Sequence, residues 1–336
     1  MQDIFSINSE QDFVEACIDT FRFQYENTLV YRRFVDFLGV NPASVQHIHK
    51  IPFLPVETYK NHPVYNKNFN PNKYFQSSGT TQHVLSKNWI TDIRIYEKSI
   101  SESFTLFLGN PQDYIFLGLL PNYIENQSSS LVYMVNFLMK KSQKPENGYF
   151  LYNHEELFDV LMSTNNRPVL LFGVSFALLD FLDFIAKTNK IFPKLSNLTI
   201  VETGGMKGRK REMTKDELLK IFYEGFHTSN IFSEYSMTEL FSQAYSLGEN
   251  TYLSPNWMKV LIRSIEDPLT YLEKEKTGGV NIIDLANLNT CSFIATQDLG
   301  RVIHENSGTK KLIHPAFKIL GRIDHSDIRG CSLLVS

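Results

Sequence analysis

The chain has few cysteines, little net charge and no long apolar run, and each shortage removes a class of function. Its three cysteines, Cys17, Cys291 and Cys331, form no CxxC pair and no metal-ligand spacing. A disulfide scaffold and a zinc module are therefore excluded, and a reducing cytoplasm is the expected compartment. In that compartment the sequons at Asn126 and Asn197 carry no weight. The formal net charge of -3 offers no basic face for nucleic acid. The longest apolar region, residues 169–185, is interrupted by Asp180 and Asp183 and carries Gly173 and Ser175, so no spanning segment is expected. Met1-Gln2-Asp3-Ile4-Phe5 has neither the basic start nor the apolar core of a signal peptide.

What is present is the composition of a globular protein: 336 residues, 43% hydrophobic and 21% charged. That length suits one large domain or a few lobes sharing interfaces. Residues 8–39 carry a helical pattern, with Asn8 or Ser9 as cap, Phe13, Cys17, Phe21 and Tyr25 on one face, and Gly39 as the stop. Ile51-Pro52-Phe53-Leu54-Pro55 is an extended connector. Helices are expected over 89–108, 128–140, 175–186 and 215–223. Buried strands are expected over 115–121, 169–173, 198–203 and 230–235, the last opening into a turn and a helix. Strands alternating with helices predict the α/β class, with a mostly parallel sheet covered on both faces. After Thr251 the texture changes. Residues 278–285 and 291–296 are predicted strands without long helices, which points to a small β-rich lobe.

Five stretches could carry chemistry. Ser77-Ser78-Gly79-Thr80-Thr81 sets four hydroxyls around a glycine after Tyr74-Phe75, a composition that surrounds a phosphate with donors and also makes ordinary turns. Glu202-Thr203-Gly204-Gly205-Met206-Lys207 ends a strand in a double glycine followed by a cation, where parallel sheets place ligands. Tyr235-Ser236-Met237-Thr238-Glu239 supplies a flat ring, two hydroxyls and a carboxylate. The same residues fit a helix start capped by Ser236 with Glu239 three residues on. Asp298, in Gln297-Asp298-Leu299-Gly300, offers two coplanar acceptors to a ribose, or forms an Asp-x-Gly turn between strands. Last, Arg329-Gly330-Cys331 places a thiol beside a guanidinium, which favours the nucleophilic thiolate.

In this order and spacing the segments resemble the adenylate-forming enzymes: acyl- and aryl-CoA ligases, firefly-type luciferases and peptide-synthetase adenylation domains. Ser77-Ser78-Gly79-Thr80-Thr81 resembles their phosphate loop, and Tyr235-Ser236-Met237-Thr238-Glu239 their Tyr-x-x-Thr-Glu motif. Gln297-Asp298-Leu299-Gly300 resembles their ribose-binding turn, and Gly321-Arg322-Ile323-Asp324 their hinge. Gln82 and Gln297 stand where the superfamily has glycine. Those enzymes continue past the hinge for about 100 residues, whereas this sequence stops just after Cys331. The ending, the Ile51-Pro52-Phe53-Leu54-Pro55 connector and the double-glycine Lys207 segment resemble the LuxE-type acyl-protein synthetases. The resemblance thus implies the large-domain fold of adenylate-forming enzymes without the usual C-terminal domain. Its expected parts are an N-terminal helical region over 1–70, an α/β nucleotide-binding core over 71–250, a β-rich lobe over 251–320, and a hinge with a cysteine-bearing tail over 321–336.

The resemblance implies ATP and Mg²⁺, a fatty acid substrate, and an acyl reductase or acyltransferase as the partner that receives the acyl group. Ser77, Ser78, Gly79, Thr80 and Thr81 would hold phosphates, with Thr238 near the α-phosphate. Glu239 would hold Mg²⁺, and Gly204, Gly205 and Tyr235 would flank the adenine. Asp298 and Arg322 would contact the ribose, and Cys331 would take the acyl group. Lys207 is the expected source of the charge that a C-terminal-domain lysine supplies elsewhere, with Arg209 and Lys87 as alternatives. Two other functions share these residues: a ligase delivering the adenylate to CoA, a carrier protein or a small nucleophile, and a nucleotide-binding subunit without turnover.

Overall fold

The computed structural model describes residues 3–77, 84–120, 128–204, 213–303 and 312–323. The helical start divides in two. Helix α1 (Glu10–Asn27) is capped by Ser9, which accepts from the Asp12 amide at 3.1 Å, and buries Phe13, Cys17 and Phe21. Helix α2 (Leu29–Phe37) follows, and Gly39 then takes φ +67° as the helical run ends. Strand β1 (Leu54–Pro55) and the short helix α3 (Thr58–Asn61) lead to a hairpin of β2 (Tyr74–Gln76) and β3 (Lys87–Trp89). Helix α4 (Ile93–Leu108) is capped by Asp92. It begins later than the expected residue 89, because 87–89 pair with β2 instead.

The α/β order then runs β4 (Ile115–Leu119), α5 (Ser130–Ser142), β5 (Gly148–Tyr149), α6 (His154–Ser163), β6 (Val169–Val174), α7 (Ser175–Lys187), β7 (Leu198–Thr203), α8 (Lys215–Phe226) and β8 (Ile231–Tyr235). Every residue of β4, β6 and β7 is buried, as expected of parallel strands covered on both faces. Helix α8 starts in a full capping box of Thr214 and Glu217.

No helix follows β8. The chain passes through turns to β9 (Ala244–Ser246) and β10 (Tyr252–Leu253), so the helix-cap alternative for Ser236 and Glu239 does not hold. Strands β11 (Met258–Arg263), β12 (Gly278–Asp284), β13 (Phe293–Val302) and β14 (Phe317–Arg322) complete the sheet. Its order is β11-β12-β13-β14-β10-β9-β8-β7-β6-β4-β5, with β1 parallel to β13. Pairing is parallel from β8 to β5 and antiparallel from β11 to β8. The β-rich segment is thus continuous with the parallel half through β9 and β10.

Two buried polar side chains lock this arrangement. Gln24 of α1 donates to the carbonyls of Asn287 and Leu288, both at 2.9 Å, and accepts from the Ser292 amide at 2.9 Å, which ties the N-terminal helix to the β12–β13 connection. Arg263 donates to the carbonyls of Val280 at 2.8 Å and Thr296 at 2.6 Å, and so fixes β13 two residues before Asp298. Gln24 satisfies backbone groups of a connection outside the ladder, and Arg263 does so where the β12–β13 ladder is irregular.

Candidate active site

A cavity of about 780 Å³ opens at the carboxyl ends of β7 and β8. Sequence-predicted residues from five separate segments line it: Ser77, Gly204, Tyr235, Thr238, Glu239, Asp298 and Arg322. Ser78, Gly79, Thr80, Thr81, Gly205, Lys207, Arg209 and Cys331 lie outside the described residues. Lys87 is described but is not among the lining residues. Its ammonium stands over the Tyr74 ring, 4.6 Å from the centroid.

Where β2 and β3 end, Ser77 and Ser86 are pinned to each other. The Ser77 amide donates to the Ser86 carbonyl at 3.1 Å, and the Ser86 amide donates to the Ser77 hydroxyl at 3.0 Å. Asn88 of β3 donates to the Thr238 carbonyl at 3.1 Å, joining the hairpin to the turn after β8. Thr238 and Glu239 are therefore held from the hairpin side. From the other side Asn287 donates to the Glu239 carbonyl at 2.6 Å. Asp284, fully buried, accepts from the amides of Phe241 and Ser242 and from the Ser242 hydroxyl, which secures the next residues. Burial pushes its carboxyl up to about 6 despite those donors.

Asp298 does not sit in a turn. It lies within β13, opposite Arg322 of β14, where the register shifts between Leu299 and Gly300. Tyr235 donates to its Oδ2 at 2.7 Å, and the Arg322 Nε is 3.8 Å from Oδ1. Burial raises the Asp298 carboxyl, partly offset by Tyr235 and the two arginines Arg322 and Arg263. Arg322 remains largely exposed and also donates to Gln297 at 3.1 Å. The Tyr235 ring packs edge-on to Tyr252 and Phe317. One wall thus offers an aromatic ring, a carboxylate and a long, largely exposed cation.

Glu239 is buried and lines the same cavity, with the Ser86 hydroxyl beside it. Burial raises its carboxyl above the ordinary range, and Ser86 works in the opposite direction. Among the described residues, no group of three or more His, Cys, Asp or Glu side chains gathers as metal ligands. A lone carboxylate still fits Mg²⁺, which is commonly bound through one or two carboxylates together with substrate phosphates and water.

The family model described as acyl-protein synthetase, LuxE, matches residues 5–336. The chain belongs to the acyl-protein synthetase (LuxE) family. It is therefore an AMP-forming ligase that works through an acyl-adenylate. No curated protein matches the synthetase in sequence. Its fold is similar to that of 2-hydroxyisobutyryl-CoA ligase, solved in an open conformation with 2-HIB-AMP and CoA. The TM-score is 0.71 at 13% identity, over 94% of this chain and 70% of that one. ATP-bound MatB from Rhodopseudomonas palustris gives 0.54 at 12%, over 74% and 47%. The amide bond synthetase McbA from Marinactinospora thermotolerans gives 0.51 at 12%, over 75% and 49%. The adenylate-forming fold expected from the sequence is the fold observed. No helix among the described residues is long and apolar enough to cross a membrane.

The synthetase also brings to the cavity residues that the sequence reading gave no role. Glu202 is fully buried, accepts from the Ser175 hydroxyl and is paired with Lys215, the first residue of α8. Burial works against the Lys215 charge, but Glu202 outweighs it and the lysine titrates above its ordinary value. Glu234 of β8 is buried beside Thr203, whose hydroxyl donates to its Oε2. One sequence signal existed for Lys215: a cation in the first turn opposes the helix dipole and so calls for a nearby anion.

Proposed function

We propose that this synthetase activates a carboxylic acid, a fatty acid, with ATP, and then carries the acyl group on Cys331. The observation that supports this most is the convergence of Ser77, Tyr235, Thr238, Glu239, Asp298 and Arg322 on one cavity, in a chain whose family is defined by acyl-protein synthesis. In the first half-reaction a carboxylate oxygen attacks the α-phosphorus, and the bond to pyrophosphate breaks with its electron pair. Charge develops on phosphoryl oxygens, so hydroxyl and backbone donors should dominate. Ser77, with Ser78, Gly79, Thr80 and Thr81, would supply those donors to the β- and γ-phosphates, and Thr238 would sit near the α-phosphate. Asp298 and Arg322 would hold the ribose, and Tyr235 with Gly204 and Gly205 would flank the adenine. Gly204 suits such a place, since its φ of +74° turns the chain directly at the end of β7. Glu239 is the residue that would hold Mg²⁺, which when bound neutralises phosphate charge.

In the second half-reaction the Cys331 thiolate attacks the acyl carbonyl. AMP leaves, a thioester forms, and the thiol proton passes to solvent. Cys331 is the seventh residue after Asp324, and seven extended residues could sweep up to ~25 Å, enough to deliver a thiol to the cavity. Lys207 is the proposed cation for the first half-reaction, and an acyl reductase or acyltransferase the proposed recipient of the thioester.

The test is intact-mass spectrometry of the full chain after incubation with ATP, Mg²⁺ and a mixture of carboxylic acids. The expected result is one acyl addition in wild type and none in Cys331→Ser, with acid-dependent ATP–pyrophosphate exchange retained by the variant. Acyl incorporation that persists in Cys331→Ser removes the carrier role. Exchange left intact by Lys207→Ala removes that lysine from the first half-reaction.

A further inference from the structure

The charges that line the cavity do not by themselves suit a triphosphate. Among the described lining residues the acids are Glu57, Glu202, Glu234, Glu239 and Asp298, and the bases are Lys60, Lys215 and Arg322. ATP would bring several further negative charges to this acid-rich wall, so cations must meet it. Two of the bases are already engaged. Lys215 is paired with the buried Glu202. Arg322 stands beside Asp298 and donates to Gln297. Lys60 differs from both: it is exposed, lines the cavity and makes no ion pair among the described residues. The acid three residues before it, Glu57, bears on the Arg263 guanidinium of β11.

The backbone that carries Lys60 is tied to the sheet. Pro55 pairs with Ala295 in parallel register, and the Val56 amide donates to the Ala295 carbonyl at 2.9 Å. Tyr59 is buried, and its hydroxyl donates to the Cys291 carbonyl at 3.5 Å. The His62 amide closes the turn on the Thr58 carbonyl at 2.9 Å. A flexible ammonium thus stands on a fixed base at the cavity's edge. Helix α3 packs against β3, the strand that follows Ser86, and Ser86 is pinned to Ser77. The Tyr59 hydroxyl also feels the Glu239 charge. Lys60 therefore rises from an element beside both Ser77 and Glu239, the described residues that the adenylation reading gives to the β- and γ-phosphates and to Mg²⁺. Resting on that reading, we infer that Lys60 is a catalytic residue of the first half-reaction, its ammonium contacting the β- and γ-phosphate oxygens of ATP. As the bond from the α-phosphorus to its bridging oxygen breaks, the electron pair stays with pyrophosphate, and Lys60 balances the charge that collects there. The lysine keeps its proton throughout and acts as a point charge. This role is separate from that of Lys207, which follows the adenine-flanking glycines in the chain.

The experiment measures ATP–pyrophosphate exchange by the full chain with fatty acids of several lengths, and calorimetric binding of ATP and of AMP, in wild type, Lys60→Ala, Lys60→Arg and Lys60→Glu. Lys60→Ala should lower kcat/KM for ATP by about 10- to 100-fold, the range for loss of a hydrogen bond to a charged group. Lys60→Arg should recover most of that loss, and Lys60→Glu should fall further. AMP has no β- or γ-phosphate, so its Kd should be the same in all four proteins, which also shows that each variant is folded. A lysine that only supports the fold would move ATP and AMP together. Unchanged ATP binding and exchange in Lys60→Ala, or parallel losses for ATP and AMP, overturns the inference and leaves adenylation standing. A wild-type protein that catalyses no exchange with any acid overturns the adenylation reading, and this inference with it.

Discussion

Glu202 and Glu234 are buried carboxylates at the ends of neighbouring strands, and the protein treats them in opposite ways. Glu202 receives a serine hydroxyl and a lysine, so its charge is neutralised within the fold. Glu234 receives the Thr203 hydroxyl, with the Ser236 hydroxyl beside it, and no cation pairs with it among the described residues. The difference teaches that burial alone does not mark a functional group. A buried carboxylate can be met by a counter-charge, as Glu202 is by Lys215, or by hydroxyls alone, as Glu234 is by Thr203 and Ser236. The comparison also gives each strand two jobs, since alternate residues of β8 face opposite sides of the sheet.

The largest expected effect comes from making Glu202 resemble Glu234. Lys215→Met removes the cation and leaves a fully buried carboxylate without its counter-charge. Breaking such a pair by deleting one partner costs about 3 kcal/mol or more, and urea unfolding should report it. Pairing the change with Glu202→Gln should recover most of the loss, because the uncompensated charge is then gone as well. A double variant as unstable as Lys215→Met alone would show that the lysine works by packing and not by charge.

The strand ends that carry these carboxylates were legible in the sequence, whereas the contrast between them was not, and the illegible part has a physical pattern. The strand ends at Thr203 and Tyr235 follow from apolar runs closed by glycine or by a polar turn, and the cavity lies where such ends meet. Asp298 was picked out as a carboxylate but placed in a turn. Its position within β13 depends on a bulge against β14, a strand paired from nearly twenty residues away, which no local pattern encodes. The absence of a helix after β8 is a second case. Ser236 and Glu239 satisfy a capping pattern, yet the segment is held by Asn88 and Asn287 from distant elements, and tertiary hydrogen bonds override the local preference. Lys215 and Glu234 were missed for the same reason, since their partners are set by helix-to-strand packing in one case and strand register in the other.

A middle-sized effect is expected on the nucleotide wall. Tyr235→Phe removes the hydroxyl that donates to Asp298 at 2.7 Å while keeping the ring that packs on Tyr252 and Phe317. Loss of one hydrogen bond to a charged group is worth about 2 kcal/mol, or roughly a 30-fold loss in kcat/KM for ATP. The ring and the fold should be unaffected. An unchanged value for ATP would remove Tyr235 from the nucleotide site.

The smallest effect is on the pH dependence of stability, and it isolates Glu234. Burial raises its carboxyl in the folded protein above the ordinary 4.5. The folded state therefore holds the proton more tightly than the unfolded chain does. The stability linked to that proton is fully present below pH 4.5 and is lost as pH rises through the folded value. Glu234→Gln cannot lose a proton, so it should gain on wild type as pH rises across that window and should match it more closely near pH 4. Urea denaturation of both proteins from pH 4 to pH 8 measures the difference. Lys215, already matched to Glu202, offers a control: in Lys215→Met the Glu234 trend should persist or grow, because Lys215 is one of the charges that eases ionisation of Glu234. A stability difference between wild type and Glu234→Gln that stays flat with pH would mean that Glu234 titrates alike in both states, its hydroxyl partners offsetting burial in full.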